Sequence, residues 1–258
     1  MTFTSADPLG LDRFVPGRAQ AEVRPVELSG LETGTDRAVH DDHPTVIWVE
    51  TDDADDLTLS SATAAQLERA VRTAHGQRIP VVITIATSGV DIVEGMAALD
   101  GWGRVARALT DCSGVVPTIL VVDGPVVSGP ALLCGVADVV VMTEAASAFV
   151  NGPVMVEQFT GVEVDVDELG GVATHQRYTG VATTVTPDRA SAHEWVRELL
   201  AHLPTSVDVE PPRWPSDDPA DRSCPEAGAR IPSSSTGSYD VRDVAADIAD
   251  DGSFLELR

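Results

Sequence analysis

The sequence predicts an α/β fold built on a mostly parallel sheet, and three observations carry that prediction. Short β-branched runs recur at residues 45–50, 79–86, 116–122 and 139–142, and those from residue 79 onward are apolar on both faces, as buried parallel strands are. Stretches with helical periodicity fill the gaps between them. The runs begin at intervals of about 35 and then about 20 residues in strand, turn, helix order, the pattern of right-handed crossovers.

Residues 1–44 read as an irregular arm in which the weak alternation of AEVRPVEL supports one strand. TVIWVE, bounded by His43-Pro44 and the acidic loop TDDADD, is a strand. SATAAQLERAVRTAHG is a helix with Leu67, Ala70, Val71 and Ala74 on one stripe and Gly76 as its stop. After the strand IPVVITIA and a Thr87-Ser88-Gly89 turn, a helix is expected over residues 94–110, with Met96, Leu99, Val105 and Leu109 on the buried side. The strand at 116–122, a short helix from about Gly129 and the strand at 139–142 complete the series. Residues 144–180 change texture to loops and short helices. Residues 191–203 form an amphipathic helix with Trp195, Leu199 and Leu200 on its apolar side and Pro204 beyond it. Residues 204–238 wrap in an extended form, 241–248 form a short helix, and FLELR is a strand candidate. The expected organisation is an arm (1–44), a domain (45–203) and a Pro-rich docking tail (204–258).

At 258 residues and 43% hydrophobic content the chain can build a sizeable core. No run approaches the roughly 20 apolar residues that cross a bilayer, and residues 1–20 carry Asp, Arg and Pro where a secretion signal needs an apolar stretch. The cytoplasm is therefore the expected location. Cys112, Cys134 and Cys224 contain no C-x-x-C pair, so reduced structural thiols are expected rather than a disulfide framework or a metal site. A net charge of −24 argues against nucleic acid or an anionic membrane as partner. All 17 cationic side chains are arginine, and this acidic, Ala- and Val-rich composition fits a high-GC or salt-adapted source.

Residues 117–142, PTILVVDGPVVSGPALLCGVADVVVM, run strand, glycine turn, short helix, strand. Such a turn aims backbone N–H groups at one spot, where a helix dipole also favours negative charge. That is a place to hold an oxyanion.

Several motifs now match a known family. IPVVITIATSGVDIVEGMAALDGWGRV, SGVVPTILVVDGP, DELGGVATHQRYTGVAT and the tail pieces DPADR and YDVRDVAADIADDGSFLEL resemble, in order, the N-terminal half of the carboxyltransferase β subunit of biotin-dependent acyl-CoA carboxylases, propionyl-CoA carboxylase most closely. The resemblance implies a crotonase-like fold of superhelical ββα repeats. It also implies a reaction in which carboxybiotin, on a carrier belonging to another subunit, releases CO2. The biotin ureido nitrogen takes the acyl-CoA α-proton, and the enolate, held by backbone amides, attacks the CO2. The protein contributes positioning and oxyanion holes, with no metal in this chain.

Carried over by position, the family's C-A-G-G-A segment falls on Val126, Val127, Ser128, Gly129 and Pro130. Ser128 and Gly129 are expected to donate backbone N–H, whereas Pro130 has none; Pro130 either removes a donor or merely starts the helix. Ser88, Gly89 and Val90 fall on the family's first glycine turn, with Ser88 in place of a glycine and Asp91 in place of an arginine. Thr183 replaces a histidine. Gly152, Pro153 and His175 are kept as substrate-side candidates, and His175 is equally suited to a satisfied structural role. Arg104 and Arg107 are candidates for offsetting CoA phosphates, or simply solvated helix residues. The resemblance also implies a second crotonase-like domain, so a C-terminal-half chain and a biotin carrier or carboxylase subunit are the expected partners in a hetero-oligomer. Three functions follow: a split acyl-CoA carboxyltransferase subunit, a malonyl- or methylmalonyl-thioester decarboxylase or transcarboxylase of the same fold, and a degenerate scaffold.

Overall fold

The computed structural model describes residues 23–25, 46–51, 58–213, 216–219, 221–250 and 253–257. The remainder of the expected N-terminal arm and residues 52–56 of the acidic loop TDDADD lie outside the described residues, while its Thr51 ends a strand. Contacts divide the chain into two compact units, Met1–Pro212 and Arg213–Arg258.

The first unit is organised on one sheet in the order β1-β2-β3-β4-β5-β7, with β6 paired to β4. The strands are β1 (Val23–Pro25), β2 (Ile47–Thr51), β3 (Val81–Thr87), β4 (Thr118–Val127), β5 (Val139–Thr143), β6 (Ser147–Phe149) and β7 (Thr184–Thr186). Every pairing is parallel except that of β1 with β2. All seven residues of β3 are buried, as its two-sided apolar character predicted.

Helices α1 (Ser61–Gln77) and α2 (Met96–Cys112) cover one face. Ile47, Val49, Val81, Ile83, Ile85, Leu120, Val122, Val140 and Met142 share a core with Leu67, Val71, Val105 and Leu109 of these helices. The Ser60 hydroxyl caps α1 by accepting the Thr63 N–H, and Glu94 reaches across to accept the Ser61 N–H at 2.7 Å. Gly76 does not stop this helix. The helix runs to Gln77, and Arg78 ends it in the left-handed region at φ 58°.

The buried side of α2 is also not the one expected. Val105 and Leu109 are buried, but Met96 and Leu99 are 75% and 46% exposed. Ala98, Gly101, Val105, Ala108 and Cys112 form the inward stripe. A Cβ on Gly101 would lie 2.8 Å from that of Ala64, so the two helices meet closely through small residues, while Met96 and Leu99 are turned outward.

Helix α6 (Arg189–His202) packs against β4, β5 and β7, and its His193 bonds Thr84, a residue that alternates with the α1/α2-facing positions of β3. It buries Ala192, His193, Val196 and Leu199, while Trp195 and Leu200 are only half-buried. Between β6 and β7 lie α3 (Pro153–Thr160), α4 (Val166–Gly170), α5 (Val172–Thr174) and a π-helical turn, His175–Thr179.

The second unit holds α7 (Pro225–Arg230) and α8 (Val241–Ile248). Arg222 ties it together, donating to Asp218 and to the carbonyls of Asp247 and Ala249. Residues 253–257 are irregular, so the expected final strand is absent from the described residues. No helix among the described residues is long and apolar enough to cross a membrane.

Candidate active site

Parallel pairing brings the C-terminal ends of β3 and β4 side by side, and the two candidate turns follow directly from them. At the end of β3, Thr87 Oγ1 accepts the Gly89 N–H at 3.1 Å and donates to the Gly89 carbonyl at 2.9 Å. Gly89 itself has φ +122°, a conformation that effectively requires glycine. The Leu59 N–H donates to the Gly89 carbonyl, and the Asp91 N–H to the Leu59 carbonyl, which anchors the turn to the segment before α1. Asp91 is buried, with its carboxylate accepting the Val93 N–H at 2.9 Å. It therefore acts as a turn cap where the family resemblance places a cation.

At the end of β4, Ser128 adopts φ 67° and ψ −139°. Its Cβ lies 3.6 Å from where a Cβ on Gly89 would be, so the two turns touch. The expectation that Ser128 and Gly129 both offer N–H groups is corrected here. The Ser128 N–H donates to the Phe149 carbonyl at 2.9 Å, and the Ala131 N–H to the Ser128 carbonyl at 3.1 Å. With Pro130 lacking an N–H, Gly129 alone of residues 128–131 keeps a donor with no partner among the described residues. The Val90 N–H on the facing turn has none either.

The helix after the turn is a 3-10 segment, Gly129–Gly135, so little macrodipole supports the site and its polarity rests on individual N–H groups. The indole of Trp102 on α2 packs against Gly129: a Cβ there would fall 2.5 Å from the ring. Trp102 Nε1 is buried without a hydrogen-bond partner among the described residues.

The third turn joins through β6, where Phe149 pairs with Val127. Gly152 caps α3 with Pro153 following it, and a Cβ on Gly152 would stand 3.7 Å from the Phe149 ring. His175 lies behind β6. Its Nε2 donates to the Ala148 carbonyl at 2.7 Å, which fixes the tautomer, so Nδ1 accepts from Thr179 Oγ1 at 2.9 Å. Both nitrogens are engaged within the protein, so His175 positions β6 and has no nitrogen left for a substrate. Gly170 is required by the same packing, since a Cβ there would meet the Ala148 carbonyl oxygen at 2.2 Å.

The structure thus brings Ser88, Gly89, Val90, Ser128, Gly129 and Pro130 together, sets Gly152 and Pro153 beside them through Phe149, and moves His175 into a supporting place. Thr87, Trp102 and Phe149 were not anticipated. The tryptophan in GWG was a visible clue, but a backbone carbonyl such as that of Phe149 leaves no mark in sequence. Thr183 completes strand pairing, exchanging bonds with Val140 through its N–H and Oγ1. Arg104 pairs with Glu68 and Asp100, and Arg107 with Asp111. Burial pushes the Cys112 and Cys134 thiols up to about 11, which keeps them protonated and poor nucleophiles. Among the described residues no group of His, Cys, Asp and Glu could hold a metal ion.

Residues 52–258 match the family model of the carboxyl transferase domain. The chain belongs to the carboxyltransferase family. It is 37% identical over 181 residues to a propionyl-CoA carboxylase carboxyltransferase subunit of Haloferax mediterranei, covering 69% of this chain and 35% of that one. It is 32% identical over 202 residues to the methylmalonyl-CoA carboxyltransferase 12S subunit of Propionibacterium freudenreichii subsp. shermanii, covering 78% and 37%. The crystal structure of transcarboxylase 12S, a hexamer assembly with hydrolysed methylmalonyl-coenzyme A bound, superposes with a TM-score of 0.74 at 26% identity, over 79% of this chain and 41% of that one. The fold of this carboxyltransferase chain is crotonase-like, and the chain spans about a third of the length of the curated relatives it matches.

Proposed function

We propose that this chain is the N-terminal-half subunit of an acyl-CoA carboxyltransferase, moving a carboxyl group between carboxybiotin and the α-carbon of an acyl-CoA through an enolate held by backbone N–H groups. The observation that carries this reading is the contact between the 88–90 and 128–130 turns, with the Val90 and Gly129 N–H groups unpartnered on them. An enolate oxygen gains most from donors fixed in advance, each worth about 3–4 kcal/mol of barrier. Both turns are fixed in advance, one by Thr87 and Leu59, the other by Phe149 and Trp102.

The turn residues are Ser, Gly, Val and Pro, and the carboxylate of Asp91 is committed to its own loop. The walls therefore hold and orient a thioester without a side-chain acid or base. That suits a reaction whose carboxyl group and base are both supplied by carboxybiotin on a carrier. These 258 residues contain no lysine, so the amine that carries biotin lies outside them. Ile92, Val93 and Met96 after the first turn, and Val154, Met155 and Phe159 after the third, are exposed. They support the further reading that a second carboxyltransferase domain, on a partner chain, covers this side of the site.

The test is calorimetry and turnover with the full chain, alone and with a chain carrying the second domain. The probes are propionyl-CoA and a carboxylated biotin carrier. Thioester binding, no carboxylation by the chain alone and transfer once the partner is added are the expected results. Robust turnover by the isolated chain overturns the partner requirement, and no thioester binding in either state overturns the enzyme reading in favour of the scaffold that Pro130 would suit.

Similarity to the methylmalonyl-CoA decarboxylase subunit alpha of Veillonella parvula, 29% over 202 residues, favours a second reading in which the same enolate follows decarboxylation. CO2 release from methylmalonyl-CoA without any biotin carrier would select it.

A further inference from the structure

On the β4 side of the site a single backbone donor is left. Of residues 128–131, Ser128 and Ala131 have committed their N–H groups, Pro130 has none, and only Gly129 retains one. At the head of this stretch stands a serine in a conformation made for glycine. At φ 67° and ψ −139° Ser128 incurs a local backbone cost that glycine would not. Packing does not account for keeping a side chain there, since Ser128 is exposed. Nor does a local hydrogen bond, since its Oγ has no partner among the described residues, whereas the neighbouring Thr87 Oγ1 is fully used within its own turn. Its Cβ stands against Gly89, on the line where the two turns meet.

We infer that the Ser128 hydroxyl is an oxyanion donor that replaces the backbone N–H missing at Pro130. This rests on the carboxyltransferase reading and adds a catalytic residue to it. The ligand group is the enolate oxygen of an acyl-CoA thioester. A hydroxyl suits that role: it is neutral across the working pH range and can rotate its proton toward the developing charge. Bonds from O–H to an anionic oxygen are short and about twice as strong as neutral ones. No covalent bond to Ser128 forms or breaks. The proline, whose fixed φ sets the start of the 3-10 segment, is then compatible with catalysis because its lost donor is supplied two residues earlier by a side chain.

The experiment uses the full chain and two probes: a nitronate analogue of an acyl-CoA, which places a planar oxyanion where the enolate would be, and the matching thioether, which has none. Wild type should bind the nitronate more tightly than the thioether. Ser128→Gly relieves the backbone cost, so it should melt higher and bind the thioether as wild type does, yet bind the nitronate roughly 10- to 100-fold more weakly, the range for one charge-assisted donor. Pro130→Ala in the Ser128→Gly background restores an N–H and should recover part of that loss.

Unchanged or tighter nitronate binding by Ser128→Gly, with wild type still preferring the nitronate, overturns this inference and leaves the carboxyltransferase reading standing. A loss that Pro130→Ala does not recover overturns the replacement of the Pro130 donor. A wild type that binds neither probe, or does not discriminate between them, overturns both the inference and the reading beneath it.

Discussion

Gly129 is held to its identity by a neighbouring ring. A methyl group there would sit 2.5 Å from the Trp102 indole, so Gly129→Ala must displace either the tryptophan or the turn. The expected result is a destabilisation of about 1–3 kcal/mol, the usual range for overpacking, read as a lower melting temperature together with weaker thioester binding. His175 makes the opposite case, a residue that looks chemical and is structural. His175→Ala leaves the Ala148 carbonyl without its donor and should cost about 1–3 kcal/mol. Because both ring nitrogens are engaged in the wild type, any residual turnover should keep the wild-type pH profile; a shifted profile would restore His175 to the chemistry. The motif letters brought these two turns to notice, and the positive φ of Gly89 is a feature of the folded backbone. Which N–H groups remain available could not be read, because that depends on distant acceptors such as the Phe149 carbonyl, and sequence position does not encode them.

Helix α6 shows what an element can hide. Its large apolar residues Trp195, Leu199 and Leu200 suggest one buried side, but the residues that are buried are Ala192, His193, Val196 and Leu199. Helix α2 behaves likewise: Met96 and Leu99 point outward while Ala98 and Gly101 point in. In both, periodicity located the helix but side-chain size misplaced its face, since small residues are what allow close approach. The consequence for α6 is a buried histidine: Nε2 of His193 bonds Thr84 Oγ1 at 2.9 Å, and its ring stands edge-on to Trp48 at 4.9 Å, with Arg197 over that indole. Burial, with the positive charges of Arg197 and Arg189, holds the His193 pKa down to about 4 from 6.5. The unfolded chain therefore takes up a proton before the native one does. The stability that depends on neutral His193 is complete above pH 6.5 and is lost as pH falls from there toward 4, by about 3 kcal/mol in all. Denaturant midpoints measured across that window should fall with pH. His193→Gln, which cannot titrate, should flatten the slope, and an equally steep fall in that variant would assign the loss to other groups.

At the scale of the whole molecule the governing quantity is charge. Length and composition allowed one large core, and the sheet order with its helical cover follows the spacing of the apolar runs. The −24 net charge was equally legible and bears on substrate binding. If the ligand is an acyl-CoA, its phosphates approach a surface whose long-range field repels them, and among the described residues many arginines already have acidic partners. Arg72, Arg104 and Arg107 are paired on α1 and α2, and in the second unit Arg222, Arg230 and Arg242 are paired with acidic neighbours. Raising ionic strength from about 0.01 M to about 0.1 M shortens the screening length from roughly 30 Å to about 10 Å. It should weaken the diffuse repulsion more than any short-range contact. Acyl-CoA binding is therefore expected to tighten with salt across this range, the reverse of the behaviour of a basic CoA site. An acyl-pantetheine thioester, which lacks the nucleotide phosphates, should bind with much less salt dependence. Measuring both ligands by calorimetry separates the two effects. Acyl-CoA affinity that falls with added salt would show that a local cationic contact, and not the overall field, governs how the phosphates are received.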